Sequence, residues 1–157
     1  MAATSNATAI PAECELIITR IFAAPRSLVF KAWTEPRHLA QWWGPSGFTL
    51  PECEIDARTA GHYRFRMRSS EGTEYWSQGV FSEIAAPERI VFTGGWTDAD
   101  GKPLSPLMKT TVTFEERAGR THVRLHQSGL ESVAARESHR GGWTSSMQRL
   151  AVYLGAA

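Results

Sequence analysis

The sequence predicts an α+β domain: a seven-stranded curved antiparallel sheet around a long C-terminal helix, with two short helices after the first strand. Three observations predict it. Between residues 48 and 127 the β-rich segments follow one another with only turn-length breaks, and no stretch between them is long enough for a helical crossover. Residues 25–45, PRSLVFKAWTEPRHLAQWWGP, carry helical spacing in two short runs. From Ser132 to Leu154 the residues His139, Trp143, Met147, Leu150 and Leu154 recur at steps of three and four, as on one face of a helix.

Bulk properties set the class. A length of 157 residues suits one domain, read as 13–157 behind a flexible N-terminal tail at 1–12. Apolar residues at 42% and charged residues at 21% match a soluble globular chain. Seventeen basic against sixteen acidic residues leave a net charge of +1, which gives no electrostatic reason to expect nucleic acid or an anionic membrane. No apolar run reaches the ~18 to 20 residues that span a bilayer. The first residues, MAATSNATAIPAE, lack the basic and apolar regions of a signal peptide, so a cytoplasmic location is expected and the Asn6-Ala7-Thr8 sequon has no consequence. Cys14 and Cys53 fit no metal spacing and no disulfide framework, and read as free thiols on neighbouring strands.

Element by element, Glu13 to Phe22 is the first strand. Pro25 and Pro36 fall in first helical turns, where a missing N–H costs nothing. Leu28, Val29, Ala32 and Trp33 share one face, Leu39, Trp42 and Trp43 the next, and Thr34 is the expected N-cap of the second helix. Trp33, Trp42 and Trp43 therefore form an aromatic wedge. Phe48 to Ala57 is a second strand that Pro51 marks as an edge or a bulge. His62 to Arg68 alternates Tyr63, Phe65 and Met67 with His62, Arg64, Arg66 and Arg68, the pattern of a strand with one wet face. Ser70-Glu71-Gly72 turns into Glu74 to Ile84, Pro87-Glu88 into Arg89 to Trp96, and a hairpin at Ala118-Gly119 joins Lys109–Glu116 to Thr121–Gln127. Gly141-Gly142 interrupts the last helix, as a bend or a close approach. One apolar face on such a sheet needs a cover, and the last helix is the segment long enough to give it. A sheet curled around one helix encloses a pocket unless large side chains fill it.

The chemistry-bearing residues point to binding before catalysis. There is no G-x-S-x-G elbow, H-E-x-x-H, C-x-x-C or glycine-rich phosphate loop, so no catalytic residue, metal site or cofactor is assigned, and enzyme activity stays an open question. The arginines at 64, 66, 68 and 124 read as a solvated face balanced by Glu74, Glu115 and Glu116. Large aromatics are ordinarily core. Six tryptophans are nonetheless generous for this length, and an indole wants a partner for its N–H. Aromatics around a few polar groups are how small-molecule sites are built. The candidate pocket residues are Trp42, Trp43, Phe48, Tyr63, Phe65, Tyr75, Gln78, Phe81, Trp96, His139, Trp143 and Met147, with His139, Tyr63, Tyr75 and Gln78 as the polar groups.

Several pieces together carry a family resemblance: Ala24-Pro25 with Phe30 and Trp33, Gln41-Trp42-Trp43-Gly44-Pro45, Gly79-Val80-Phe81, Pro87 to Thr93, and Gly142-Trp143. From Glu13 onward the chain resembles the START-like superfamily (SRPBCC, birch-pollen-allergen-like), whose fold is the helix grip. Within it the chain is similar to the bacterial group related to the C-terminal domain of the heat-shock-protein-90 ATPase activator. The glycine pair usual before the third strand stands here as Ala60-Gly61. The aromatic-lined pocket makes a carrier, sensor or sequestering protein for a small apolar or aromatic ligand the first function expected; the resemblance implies two alternatives, a chaperone-interaction module and then a cyclase or aromatase. It also implies that homodimers are common.

Overall fold

The computed structural model describes residues 14–155. The elements are β1 (Leu16–Phe22), α1 (Arg26–Thr34), α2 (Pro36–Trp42), β2 (Thr49–Ile55), β3 (His62–Arg68), β4 (Glu74–Ala85), β5 (Arg89–Thr97), β6 (Met108–Arg117), β7 (Arg120–Ser128) and α3 (Val133–Leu154). The expected tail and Glu13 lie outside the described residues. All seven strands form one antiparallel sheet in the order β1-β7-β6-β5-β4-β3-β2. Strands β2 to β7 make the expected meander, and β1 joins its far side, from Leu16 opposite Gln127 to Phe22 opposite Thr121.

That last pairing corrects one expectation. Cys14 and Cys53 are both free, but they lie at opposite ends of the sheet, because β1 pairs with the last strand and not with the next one. Pro51 sits where expected: β2 is an edge strand, and its register shifts between Thr49 and Glu52.

The wedge forms with two adjustments. Val29, Phe30, Ala32 and Trp33 are the buried residues of α1, while Leu28 is exposed. Thr34 does not cap α2. Its hydroxyl donates back to the Phe30 carbonyl at 3.1 Å, so α1 runs through it and Glu35 becomes the boundary residue. The Trp42 indole donates to the Ala32 carbonyl at 2.9 Å and locks the two helices together. Trp33 lies between Trp42, Trp43 and Phe114 edge-on and Trp143 stacked, with centroids 4.8 to 6.1 Å away.

Helix α3 starts at Ser132, whose hydroxyl accepts from the Ala135 N–H at 3.0 Å, and ends at Gly155 with φ +67°. It passes through Gly141 and Gly142 without a break. Its buried residues, Ser146, Met147, Leu150 and Ala151, all fall in the C-terminal half, where it meets α2 and β1. Arg149 there donates to the Gly44, Pro45 and Trp43 carbonyls at 2.9, 3.1 and 3.4 Å, a cation on the carbonyls of the loop that follows α2.

On the outer face of the sheet, Glu74 accepts from Arg66 at 2.6 Å and from Arg68 at 2.7 Å, and Arg64 reaches Glu52 at 3.4 Å. Arg64 and Arg66 also lie over the Trp76 ring, at 4.2 and 5.3 Å from its centroid. Glu74 neutralises the basic stripe of β3 as expected and Glu52 joins it, whereas Glu115 pairs with Arg117 and Glu116 accepts from the Arg26 N–H instead.

On the concave face, Gly79 of β4 is paired with Gly94 of β5, and the ring of Tyr63 from β3 lies across both. A Cβ at Gly79 would come within 2.3 Å of the Thr93 carbonyl and 2.7 Å of the Tyr63 ring. Gly79→Ala is therefore expected to destabilise the fold by about 3 kcal/mol, since backbone must move. Gly141→Ala, whose Cβ meets nothing within 4 Å, is expected to stabilise it by about 0.5 to 1 kcal/mol. Denaturant melts of the two variants beside the parent check both signs; two shifts in the same direction would contradict this account.

Candidate functional site

Each inner strand carries large residues at its wedge end, then a small or polar one. Inward-facing Phe81 on β4 gives way to Gly79 and Ser77, Phe92 on β5 to Gly94, Val112 on β6 to Thr110, and Leu125 on β7 to Gln127. Register aligns these positions, with Gly79 opposite Gly94, and Thr110 opposite both Phe92 and Gln127. The large residues return at Tyr75, Trp96 and Met108. A band of missing side-chain volume thus crosses four strands. The N-terminal half of α3 lies above it, and the two enclose a pocket of about 540 Å³.

The polar groups of the pocket are wired together. Gln127 is 4% exposed. Its Oε1 accepts from the Trp143 indole at 3.2 Å and from His139 Nδ1 at 3.0 Å, and its Nε2 donates to the Thr110 hydroxyl at 3.0 Å. The Trp96 indole donates to His139 Nε2 at 3.3 Å. Indoles only donate, and this fixes the rest: the Gln127 oxygen faces Trp143, and His139 is neutral with its hydrogen on Nδ1. Burial pulls the His139 pKa below the ordinary histidine value, which favours the same neutral form. Among the described residues, no Asp, Glu, Lys or Arg lines the pocket.

Of the sequence-derived candidates, the structure brings Trp43, Phe48, Tyr63, Tyr75, Trp96, His139 and Trp143 to the pocket wall. Trp42 and Met147 are core, exposed by 0% and 1%. Phe65 and Phe81 pack beside the wedge, away from this space. Gln78 sits on the other face, between the inward Ser77 and Gly79, with its amide near the Gly101 carbonyl at 3.5 Å. Strand alternation alone would have placed it there. Sequence reasoning missed Gln127, Thr110, Ser77 and the Gly94 position. Their signal was a small or polar residue at an inward position of consecutive strands. Gly142 also borders the pocket, and a Cβ there would meet Pro45 only at 3.8 Å, so its bare face adds room without demanding a close approach. A wider groove of about 930 Å³ runs along the other side of α3, but Arg20, Gln41, Glu137, Arg140 and Arg149 make it a polar surface.

A curved antiparallel sheet gripping a C-terminal helix, with two short helices after its first strand, is a helix-grip domain of the START-like superfamily. Within it the chain belongs to the family described as Activator of Hsp90 ATPase homolog 1-like protein, which matches residues 23–155. The chain is similar to the AHSA1 protein of Silicibacter pomeroyi, at 28% identity over 90% of this chain and 97% of that one, with a TM-score of 0.81. It is similar to a protein of Chromobacterium violaceum, at 28% identity over 88% and 95% of the two chains, TM-score 0.78. A protein of Nitrosomonas europaea shares 25% identity over 93% and 97%, TM-score 0.77. No curated protein matches the chain.

The depressed His139 has a consequence for stability. Between its folded pKa and the ordinary value near 6.5, the unfolded chain binds the proton and the folded one does not. Its contribution is complete above about pH 6.5 and is lost as pH falls from there through the folded value. His139→Gln is expected to flatten this acid-side decline in melts run between pH 7.5 and 5. A His139 ring resonance that titrates at or above the ordinary value would refute the assignment.

Proposed function

We propose that this protein binds a small apolar or aromatic molecule in the pocket beneath α3, as a carrier, sensor or sequestering protein. The observation that carries the reading is the pocket itself: about 540 Å³, walled by aromatics and, among the described residues, free of charged side chains. Its size lies in the ~300 to 1,000 Å³ range of small-molecule sites. The driving force is removal of apolar ligand surface from water, at about 25 cal/mol per Å². The family and its fold, of a ligand-binding type, support the same reading. Catalysis draws less support, because both nitrogens of His139 are engaged and burial pushes the Cys53 thiol up to about 11, leaving little thiolate at neutral pH.

Native mass spectrometry of the expressed protein, followed by titration with naphthalene read by tryptophan fluorescence, tests the proposal. Trp143, a pocket wall, is the informative site. Trp143→Ala should cost less than the ~3 to 5 kcal/mol of a core tryptophan and should change probe affinity. A full core-sized loss, with no probe bound by the parent, would reject ligand binding.

The family description favours a second reading, a chaperone-interaction module, which capture of a purified chaperone of the heat-shock-protein-90 class would support. A cytoplasmic location is part of the proposal; no helix among the described residues is long and apolar enough to cross a membrane. Homodimer formation through the open β2 edge is part of it too. Sedimentation should show a concentration-dependent dimer, and a monomer throughout removes that element.

A further inference from the structure

Tyr63 carries a polar atom that the fold leaves unused. The residue is only 7% exposed, with its ring among Phe65, Phe81 and Phe92 at centroid distances of 5.1 to 5.6 Å. Its hydroxyl reaches over Gly94, where any Cβ would collide with it, and Gly79 gives the ring its seat. Two paired glycines therefore hold this phenol flat on the concave face, with the residue in the pocket wall. Among the described residues the hydroxyl has no hydrogen-bond partner, while Trp96, Trp143, His139 and Gln127 all have theirs. Among the described residues the side-chain polar atoms fully buried without a partner are Arg20 Nε, Trp33 Nε1 and Arg66 Nε; the Tyr63 oxygen is not one of them, so it opens onto the pocket and takes its partner from whatever fills that space.

The neighbouring groups define what that partner is. Thr110, also in the pocket wall, accepts from Gln127 through its oxygen and has its own hydrogen left to donate. The strong side-chain acceptors, Gln127 Oε1 and His139 Nε2, are already taken. Apart from hydroxyl oxygens, which can accept as well as donate, the side-chain acceptors of the pocket are occupied, while the Tyr63 and Thr110 hydrogens are spare. An anion would be buried there without a cation, at a cost that hydroxyls do not repay. Burial raises the Tyr63 pKa, so the phenol keeps its hydrogen.

We infer that the ligand is an uncharged aromatic carbonyl compound, with its rings among Trp43, Phe48, Trp96 and Trp143 and its oxygen accepting from the Tyr63 hydroxyl. This rests on the binding function proposed above and specifies the chemistry of its ligand. Tyr63 is the specificity-determining residue, and Thr110 supplies a second donor.

The test uses a matched pair, 2-acetylnaphthalene and the isosteric hydrocarbon 2-isopropenylnaphthalene, with 2-naphthoate as the anion. Both neutral probes are titrated into the parent and Tyr63→Phe. The variant is expected to shift the affinity ratio by about fivefold or more toward the hydrocarbon. The carbonyl stretch of the ketone bound to the parent is expected below its position in hexane, and 2-naphthoate should bind more weakly than the ketone. An unchanged ratio, an unshifted carbonyl band, or 2-naphthoate binding as tightly as the ketone would overturn the inference while leaving hydrocarbon binding intact. Failure of both neutral probes to bind the parent would instead reject the binding function, and this inference with it. The infrared measurement needs only the parent, so the inference stays testable should Tyr63→Phe fold poorly.

Discussion

The amide of Gln127 is where the sheet holds its helix over empty space. A helix normally stays on a sheet through continuous apolar contact, as the C-terminal half of α3 does through Met147, Leu150 and Ala151. Its N-terminal half has no buried apolar residue and meets the core only through Trp143 at its end, because the strands beneath it present glycine, serine, threonine and glutamine. Gln127 spans that gap with hydrogen bonds to Trp143 and His139 on one side and Thr110 on the other. His139 extends the span to Trp96 on β5. Directional bonds can fix a helix at a distance, whereas apolar packing pulls surfaces together until the space is gone. Each of these groups would be costly to bury alone, and the network leaves none of its indole, imidazole and amide groups unpaired.

The same division explains the tryptophans. Trp33 and Trp42 fill one end of the sheet solidly, with Phe114 beneath them. Trp43 and Trp143 stand at the boundary, touching Trp33 on one side and the pocket on the other. Arg149 ties the loop after α2 to α3 through three carbonyls, and Ser145 accepts from the Ser46 N–H at 2.8 Å. The wedge and the roof of the pocket are thus joined into one connected assembly. A protein can keep a hollow interior only if the remainder of its core is packed well enough to carry it.

The architecture was legible because it rests on periodicity: the strict alternation of β3, the turn residues between strands, and the three-and-four spacing of α3 all survive into the structure. Positions that depend on strand pairing were not legible at the same level. Cys14 and Cys53 were read as neighbours because sequence adjacency of strands was taken for spatial adjacency, and β1 closes on β7 instead. Gln78 was grouped with the aromatics around it although alternation turns it outward. The wedge and pocket tryptophans look alike in sequence, and only the third dimension separates Trp42 in the core from Trp43 in the wall. The polar centre was missed altogether, since Gln127, Thr110 and Ser77 lie on different strands and meet only through register.

A dry void of this size cannot be a stable feature of the fold. Cavity energies of ~24 cal/mol per Å³ put the cost of an empty, sealed pocket of about 540 Å³ on the order of 10 kcal/mol, as large as the whole stability of a typical domain. The pocket must therefore be filled with solvent or ligand, and its composition fits both conditions. Tyr75, in its wall, is 42% exposed, which gives solvent a route inward. Hydroxyls at Tyr63, Ser77 and Thr110 can bond to water, as a roomy polar site requires. Water held among aromatic walls has fewer partners than bulk water, and an apolar molecule that returns it to solvent gains by the exchange. The small polar residues that make the hollow tolerable when solvated are then the ones that orient whatever displaces the water.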